Sequence, residues 1–258
     1  MAASPLTTIK LTLGYDGTDF SGSQIQTEAR TVEGVLFPLL QNLYSEEIRL
    51  TFSGRTDSGV HASGQVISFP QKPGIPTDRL VTVLNRAVAP DIQIYEATEI
   101  PGAFDARRHA IERVYHYWFT SEVLPVTMAR YVAQLPVEVD HDVFRQFKAH
   151  ILGTHNFVNF RKIGSSEKSP IRTINDVNLR LVEVRNWDGT QLKLWRFEIS
   201  ANAFLFRMVR NLVGVLLALW QNTMNLSHVR EMLSGIEGRS FPFTVADPRG
   251  LHLVSVRY

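Results

Sequence analysis

Residues 52–69, FSGRTDSGVHASGQVISF, place a single carboxylate, Asp57, in a glycine-rich loop two residues after an arginine. Leu50 and Phe52 are apolar on the near side, and Val66, Ile67 and Phe69 form a strand-like run on the far side. A loop framed in this way projects from the edge of a sheet. Gly54, Gly59 and Gly64 can take positive φ or let another backbone come close. Taken alone, a lone acid in such a loop is most often a feature of a tight surface turn. Its meaning depends on the rest of the chain.

Outward from this loop the pattern is a strand–helix alternation. Ile9, Leu11, Leu13 and Tyr15 alternate with Lys10, Thr12 and Gly14, the period of a strand buried on one face. A helix is predicted over 31–44, with Val32, Val35, Leu36, Leu39, Leu40 and Leu43 on one side. Pro38 inside that pattern implies a kink or a shifted start, because an interior proline removes a hydrogen bond and clashes with the preceding turn. Strands at 48–53 and 65–69, a helix capped at Thr77 with Leu80, Val83 and Leu84 inward, and a strand at 92–96 complete an order of βαββαβ. The second half repeats it: a strand at 113–120, a helix at 140–152, strands at 173–184 and 192–200, a helix at 204–221, a short helix capped by Ser227, and a last strand at 251–258. The expected fold is α+β, two ferredoxin-like βαββαβ halves with mostly antiparallel sheets and an active-site cleft between them. Residues 101–110 form the boundary, giving an N-terminal half, 1–109, with the Asp57 loop, and a C-terminal half, 110–258. The polar stretch GSSEKSP at 164–170 reads as a mobile loop.

Composition narrows the function classes. The 258 residues are 44% hydrophobic, enough for a sizeable core, and 27 Lys plus Arg against 25 Asp plus Glu leave a net charge of only +2. With no cysteine there is no disulfide, thiolate nucleophile or thiolate metal site. The first ten residues, MAASPLTTIK, lack the basic and apolar regions of a secretory signal, so a cytoplasmic location is expected. The apolar stretch 203–220 carries Arg207, Arg210 and Asn211 near its start and reads as a buried amphipathic helix, with no membrane partner. There is no GxxxxGK[ST] loop, GxGxxG, HExxH or GxSxG, and the histidines do not fall at metal-ligand spacings. No metal and no cofactor are expected.

Basic residues cluster at Arg107, Arg108 and Arg113, at Arg161, Lys162, Lys168 and Arg172, and at Arg207 with Arg210. They are interleaved with Phe104, Tyr115, Tyr117, Phe157 and Phe160. Cationic grooves with aromatic platforms hold nucleic acid whose bases are unstacked. Each cluster is equally compatible with a solvated face, and Tyr115 and Tyr117, on one face of a strand, with a place in the core.

The loop SGRTDSGVHASGQV resembles the catalytic loop of the tRNA pseudouridine synthases of the TruA type, whose pattern is GRTDxGVHxxGQV. The resemblance extends in order through LGYDGTDFSGSQIQ at 13–26, FDAR at 104–107, RVYHY at 113–117, GTHNFVNF at 153–160, FLFRMVRNLVG at 204–214 and the closing GLHLVSVRY, nearly the whole chain. It implies an isomerase that converts uridine to pseudouridine in the anticodon stem-loop of tRNA, at positions 38, 39 and 40, and that works as a homodimer. Asp57 would be the catalytic nucleophile or base. Arg55 would orient the loop and contact RNA, and Arg107, in FDAR, would bind RNA. Tyr115 would stack on the target uracil, Arg210 would pair with Asp57 across the cleft, and Leu251 would be a packing wall for the base. Two positions depart from the family pattern: Ser23 stands where a tryptophan is usual, and Asp247 replaces a small residue before a proline.

The chemistry suits such a site. The bond from C1′ to N1 breaks, the base turns, and C1′ joins C5 with no change in composition, so one ionised carboxylate suffices without a redox carrier. Extracting the base from its stack costs on the order of a few kcal/mol, and an aromatic platform worth roughly 1 to 3 kcal/mol returns part of it. Two rivals come from other classes: an RNA-binding module without catalysis, and an RNA-cleaving enzyme using Asp57 with His61.

Overall fold

In the computed structural model, residues 6–162, 164, 168–186, 188–237 and 239–258 are described. The chain divides into two compact units, Met1–Ile111 with His252–Tyr258, and Glu112–Leu251. Most of the expected loop at 164–170 lies outside the described residues.

In the first unit the order is β1 (Thr7–Tyr15), α1 (Val32–Leu43), β2 (Thr51–Phe52), β3 (His61–Pro70), α2 (Thr77–Val88) and β4 (Ile92–Pro101), with β10 (Leu251–Arg257) returning from the end of the chain. Strand β1 lies between β3 and β4, antiparallel to both, because the alternation at 9–15 gives it one face to bury: Ile9, Leu11 and Leu13 are fully enclosed. The other edge of β3 is shared, with β10 pairing parallel at His61–Ala62 and β2 antiparallel at Ile67–Ser68. Helix α1 turns Val32, Leu36 and Leu40 inward, and α2 turns Leu80, Leu84 and Val88 inward. Each such side chain contributes about 1.5 to 3 kcal/mol by leaving water. Asn85 fixes α2 on β4, its Oδ1 accepting from the Ile94 N–H at 2.7 Å and its Nδ2 donating to the Ile94 carbonyl at 2.9 Å.

The second unit runs β5 (Glu112–Thr120), β6 (Ala133–Gln134), α3 (His141–Ile151), β7 (Gly153–Asn156), β8 (Ile171–Arg185), β9 (Gln191–Ala201), α4 (Met208–Trp220) and α5 (Leu226–Leu233). Strands β5, β9, β8 and β7 pair antiparallel in that order, and β6 adds to β5 in parallel. The core is aromatic: Tyr117, Phe119, Phe147, Phe157, Phe160 and Phe197 are almost wholly enclosed. Helix α4 is buried nearly all round, which is why its sequence is apolar over ten of its positions. No helix among the described residues is long and apolar enough to cross a membrane.

The class is α+β, with several differences of detail. The sheet pairing is mixed and not antiparallel throughout, because β10 joins β3, and β6 joins β5, in the same direction. Helix α1 runs through Pro38 with its start at Val32, where the Thr31 hydroxyl accepts from the Gly34 N–H. Pro38 and Gly34 lie on the exposed side of the helix, where water can satisfy the carbonyl that proline leaves without a partner. Strand β2 is only two residues long, and β3 and β4 extend beyond their predicted bounds. Thr77 is the first residue of α2 and not its cap, its hydroxyl donating to Glu99 Oε1 at 2.5 Å. Asn225, not Ser227, caps α5, in a reciprocal box with His228. Helix α4 begins at Met208 and not near residue 204, because Arg207 takes the left-handed conformation, φ 65° and ψ 3°.

Gly64 shows how closely the strands meet: a Cβ built there would stand 2.1 Å from the Val254 carbonyl oxygen of β10. Gly64→Ala is expected to lose about 1 to 3 kcal/mol of stability in urea unfolding, as overpacking does. A variant as stable as the parent would show that β10 can move away from β3 without cost.

Candidate active site

The Asp57 loop joins β2 to β3 and closes on a four-residue turn, the Val60 N–H donating to the Asp57 carbonyl at 3.2 Å. Gly59, the third residue of the turn, has φ 74°, which the sequence Asp-Ser-Gly-Val permits because glycine carries no Cβ. Asp57 is partly exposed and Arg55 is exposed, but Thr56 between them is buried.

Thr56 is held by every polar atom it has. Its N–H donates to Ser23 Oγ at 2.9 Å and its carbonyl accepts from the Ser23 N–H at 3.2 Å. Its hydroxyl shares a 2.7 Å hydrogen bond with the Tyr15 phenol. Gln65 continues the network: its Nε2 donates to the Gly54 carbonyl at 3.0 Å and to the Tyr15 oxygen at 3.3 Å, and its Oε1 accepts from Ser53 Oγ at 2.7 Å. Burial pushes the Tyr15 phenol up to about 12, against the lowering effect of its bonds to Thr56 and Gln65. The segment before α1 straps the loop from outside, with the Gly59 N–H at 3.2 Å and Ser58 Oγ at 3.3 Å both donating to the Phe20 carbonyl. Gly22, at φ 99°, brings this strap against the Thr56 carbonyl.

His61 opens β3 and is buried, its side chain only 3% exposed. Its Nδ1 accepts from the Gly17 N–H at 3.0 Å, and its ring stacks on His252 at 4.7 Å. A histidine so enclosed is a poor partner for Asp57 in cleaving an exposed RNA backbone.

The second unit positions Arg210, Tyr115 and Leu251. Arg210 lies in the first turn of α4, and its Nε donates to the Ala246 carbonyl at 2.7 Å while the Ala246 N–H returns to the Arg210 carbonyl at 3.2 Å. Asp247 caps the 3-10 turn Pro248–Gly250, accepting from the Arg249 N–H and Nε, each at 3.0 Å. Leu251 ends that turn and is buried. Tyr117 lies beside this group, and its phenol is pushed up by burial and by the Asp247 carboxylate, with Arg210 and Arg249 opposing. Its hydroxyl is directed at the Asp247 backbone without completing a hydrogen bond. Tyr115, two residues earlier on the same face of β5, is 7% exposed and packs edge-on against Phe204, 5.2 Å between centroids and 89° between planes.

The basic and aromatic clusters separate into distinct roles. Arg107 and Arg108 are exposed, whereas Arg113 is buried and donates to the Asn202 carbonyl at 2.7 Å. Arg161 pairs with Glu237 at 3.1 Å, and Arg172 donates to the Ser169 and Ile171 carbonyls. Phe157, Phe160 and Tyr117 are core residues and offer no platform to a base. Among the described residues no three His, Cys, Asp or Glu side chains come together to hold a metal ion.

The family model described as tRNA pseudouridine synthase matches residues 13–107 and 148–258, which include the Asp57 loop, the Ser23 strap and Arg210. The chain belongs to the tRNA pseudouridine synthase family. A tRNA pseudouridine synthase A of Acetivibrio thermocellus is 34% identical over 251 residues, 97% of this chain and 99% of the relative. Proteins of the same description from Halalkalibacterium halodurans, 37% identical over 229 residues, and Roseiflexus castenholzii, 36% over 251 residues, cover 88% and 97% of this chain and 83% and 90% of their own lengths. In this family member, then, Asp57 and Arg55 stand on the first unit with Arg107, and Tyr115, Arg210 and Leu251 belong to the second. The Thr56 network escaped sequence reasoning because Tyr15 and Ser53 look like ordinary strand residues and Ser23 like a loop residue. The place of Tyr15 and Gln65 inside the motifs that carry the resemblance was the available signal.

Ser23→Ala removes the acceptor of a buried N–H and is expected to cost about 1 to 3 kcal/mol. Hydrogen exchange at the Thr56 amide should become faster than in the parent, and unchanged exchange would mean that Ser23 does not hold the loop. The Tyr15 phenol has a folded-state pKa above its ordinary value of 10.0, so its contribution is complete below that pH and is lost as pH rises through about 12. Tyr15→Phe should therefore flatten the alkaline limb of the stability profile.

Proposed function

We propose that this chain isomerises uridine to pseudouridine in tRNA, at positions 38, 39 and 40 of the anticodon stem-loop, with Asp57 as nucleophile or base. The observation that carries the reading is the immobilised Thr56, which leaves the adjacent Asp57 partly exposed on a rigid turn within the family match. A carboxylate held so firmly can meet C1′ without reorganising its own loop, which is the advantage of a pre-organised group.

In this reading the two units are ferredoxin-like halves flanking a cleft. Arg210 pairs with Asp57 across it, its guanidinium plane set by the bond from Nε to Ala246. Tyr115 receives the uracil, its ring plane set by Phe204, while Leu251 limits the space for the base and Arg55 and Arg107 contact the RNA. The base leaves the stack, Asp57 assists cleavage of the glycosidic bond, the uracil turns, and C5 bonds to C1′ before its proton is removed. No cofactor takes part in this sequence. The enzyme acts as a cytoplasmic homodimer on tRNA. A catalytic role is favoured over simple binding because a carboxylate facing RNA opposes phosphate and needs a chemical reason to be there. The burial of His61 weighs against RNA cleavage.

Asp57→Asn is expected to lower tritium release from C5-labelled tRNA by about a thousandfold or more while leaving tRNA binding nearly intact. Loss of binding and turnover together in a folded variant would count against a purely chemical role. Arg210→Lys should cost roughly tenfold or more, since lysine cannot reproduce a planar two-point pairing. Normal turnover in that variant would remove Arg210 from the site.

A further inference from the structure

A pocket lies within the first unit, and Asp57 is not among its lining residues. It has a volume of about 430 Å³ and opens between the start of β1, the far end of β3 and the loop after β4. That volume is within the range of small-ligand sites, roughly 300 to 1,000 Å³. Ser68 of β3 lines it, seven residues beyond His61, which at about 3.3 Å per residue is roughly 23 Å along the strand.

The wall is firmly built. Thr8 Oγ1 donates to the Gly102 carbonyl at 2.8 Å and accepts from the Phe104 N–H at 3.1 Å, and Ser68 Oγ accepts from the Ala106 N–H at 3.0 Å. The Tyr258 hydroxyl donates to the Ala106 carbonyl at 2.9 Å, and its ring meets that of Phe104 at 4.9 Å. The loop that carries Phe104, Arg108 and His109 is therefore fixed to the sheet at several points.

The lining is cationic and aromatic. Arg49 is exposed and makes no ion pair or side-chain hydrogen bond among the described residues. Arg108, with its side chain 86% exposed, has only a 3.8 Å contact with Asp105. The Asp105 carboxylate, the one acid in the lining, is occupied locally, its Oδ1 accepting from the Arg107 and Arg108 N–H groups at 2.8 and 2.9 Å. His109 accepts from the Asp105 N–H through Nδ1 at 3.2 Å, which in the neutral ring puts the proton on Nε2, a further donor. The Phe104 ring lies 5.6 Å from His109.

We propose that this pocket is a second nucleotide subsite, in which Arg49, Arg108 and His109 take a phosphate and Phe104 takes a base of the tRNA chain remote from the reacting uridine. The inference rests on the tRNA reading given above. Its chemistry is that of a nucleoside monophosphate, which is present both in a tRNA strand and free in solution. The tRNA strand is the assigned source, since a polynucleotide presents further phosphates and bases beyond the reacting uridine.

The test is the double variant Arg49→Glu, Arg108→Glu, two exposed positions where the fold should be retained, with Arg79→Glu, Arg86→Glu on the exposed side of α2 as a control of equal charge. Binding of full-length tRNA is measured over a salt series. The pocket variant is expected to weaken Kd about tenfold or more at 0.1 M salt and to flatten the plot of log K against log salt by about 1 to 2. The loss should appear in KM and not in kcat, and the control should lose much less. Parental Kd and slope, or an equal loss in the control, would overturn the subsite. AMP is then titrated against wild type and variant: binding that competes with tRNA supports the assignment, and binding that leaves tRNA affinity unchanged overturns the tRNA source. Pseudouridine mapping reports on the activity alone, so a failure of that reading is distinguishable from a failure of the subsite.

Discussion

Thr56 sits one residue before Asp57 and has no freedom left. Its N–H and carbonyl are bonded to Ser23, and its hydroxyl to a Tyr15 phenol that Gln65 also holds. In a buried setting each of these bonds is costly to break, because the group left behind cannot turn to water. The network joins β1, the strap before α1 and the start of β3, so the position of the loop depends on all of them folding together. Ser23 is integral to this arrangement: a small hydroxyl fits a fully enclosed position and supplies the acceptor that the Thr56 N–H requires.

The second unit solves a similar problem with packing. Helix α4 is enclosed by an aromatic core, so Arg210 in its first turn inherits a fixed backbone. Asn211, next to it, donates to the Phe160 carbonyl at 2.8 Å and anchors the helix against its neighbour. The left-handed Arg207 just before the helix occupies a conformation that costs a non-glycine residue about 1 to 3 kcal/mol and survives only where packing enforces it. Asp247, through its cap on the turn before Leu251, holds the segment that clasps Arg210 at Ala246. Asp247 thereby supports the arginine from behind.

Basic residues that look alike in the sequence serve different ends. Arg113 satisfies a carbonyl inside the fold and Arg161 pairs with the exposed Glu237, while Arg49 and Arg108 stand around a pocket with little to neutralise them. A net charge of +2 conceals this division, because attraction to phosphate depends on which cations remain unmatched at a surface and not on their total number.

The order of the longer strands and helices, the enclosed face of β1, the inward Val32, Leu36 and Leu40 of α1 and Leu80 and Leu84 of α2, and the Asp57 turn were legible in the chain, because periodicity and turn chemistry are local properties, whereas the short strands β6 and β7 carry too little pattern to be read. The family resemblance was legible too, since its motifs are contiguous. The choice of Asn225 over Ser227 as a cap, the left-handed Arg207 and the burial of His61 were not, because each depends on what packs around a residue whose local signal is ambiguous. The same holds for the parallel return of β10 beside β3: strand pattern carries no information about which edge a distant segment will find. Sequence alone determined that Asp57 is presented on a glycine turn in a tRNA pseudouridine synthase chain. Only the tertiary structure decided what holds it there, because hydrogen bonds among Tyr15, Ser23, Thr56 and Gln65 exist only once strands far apart in the chain enclose them and exclude water.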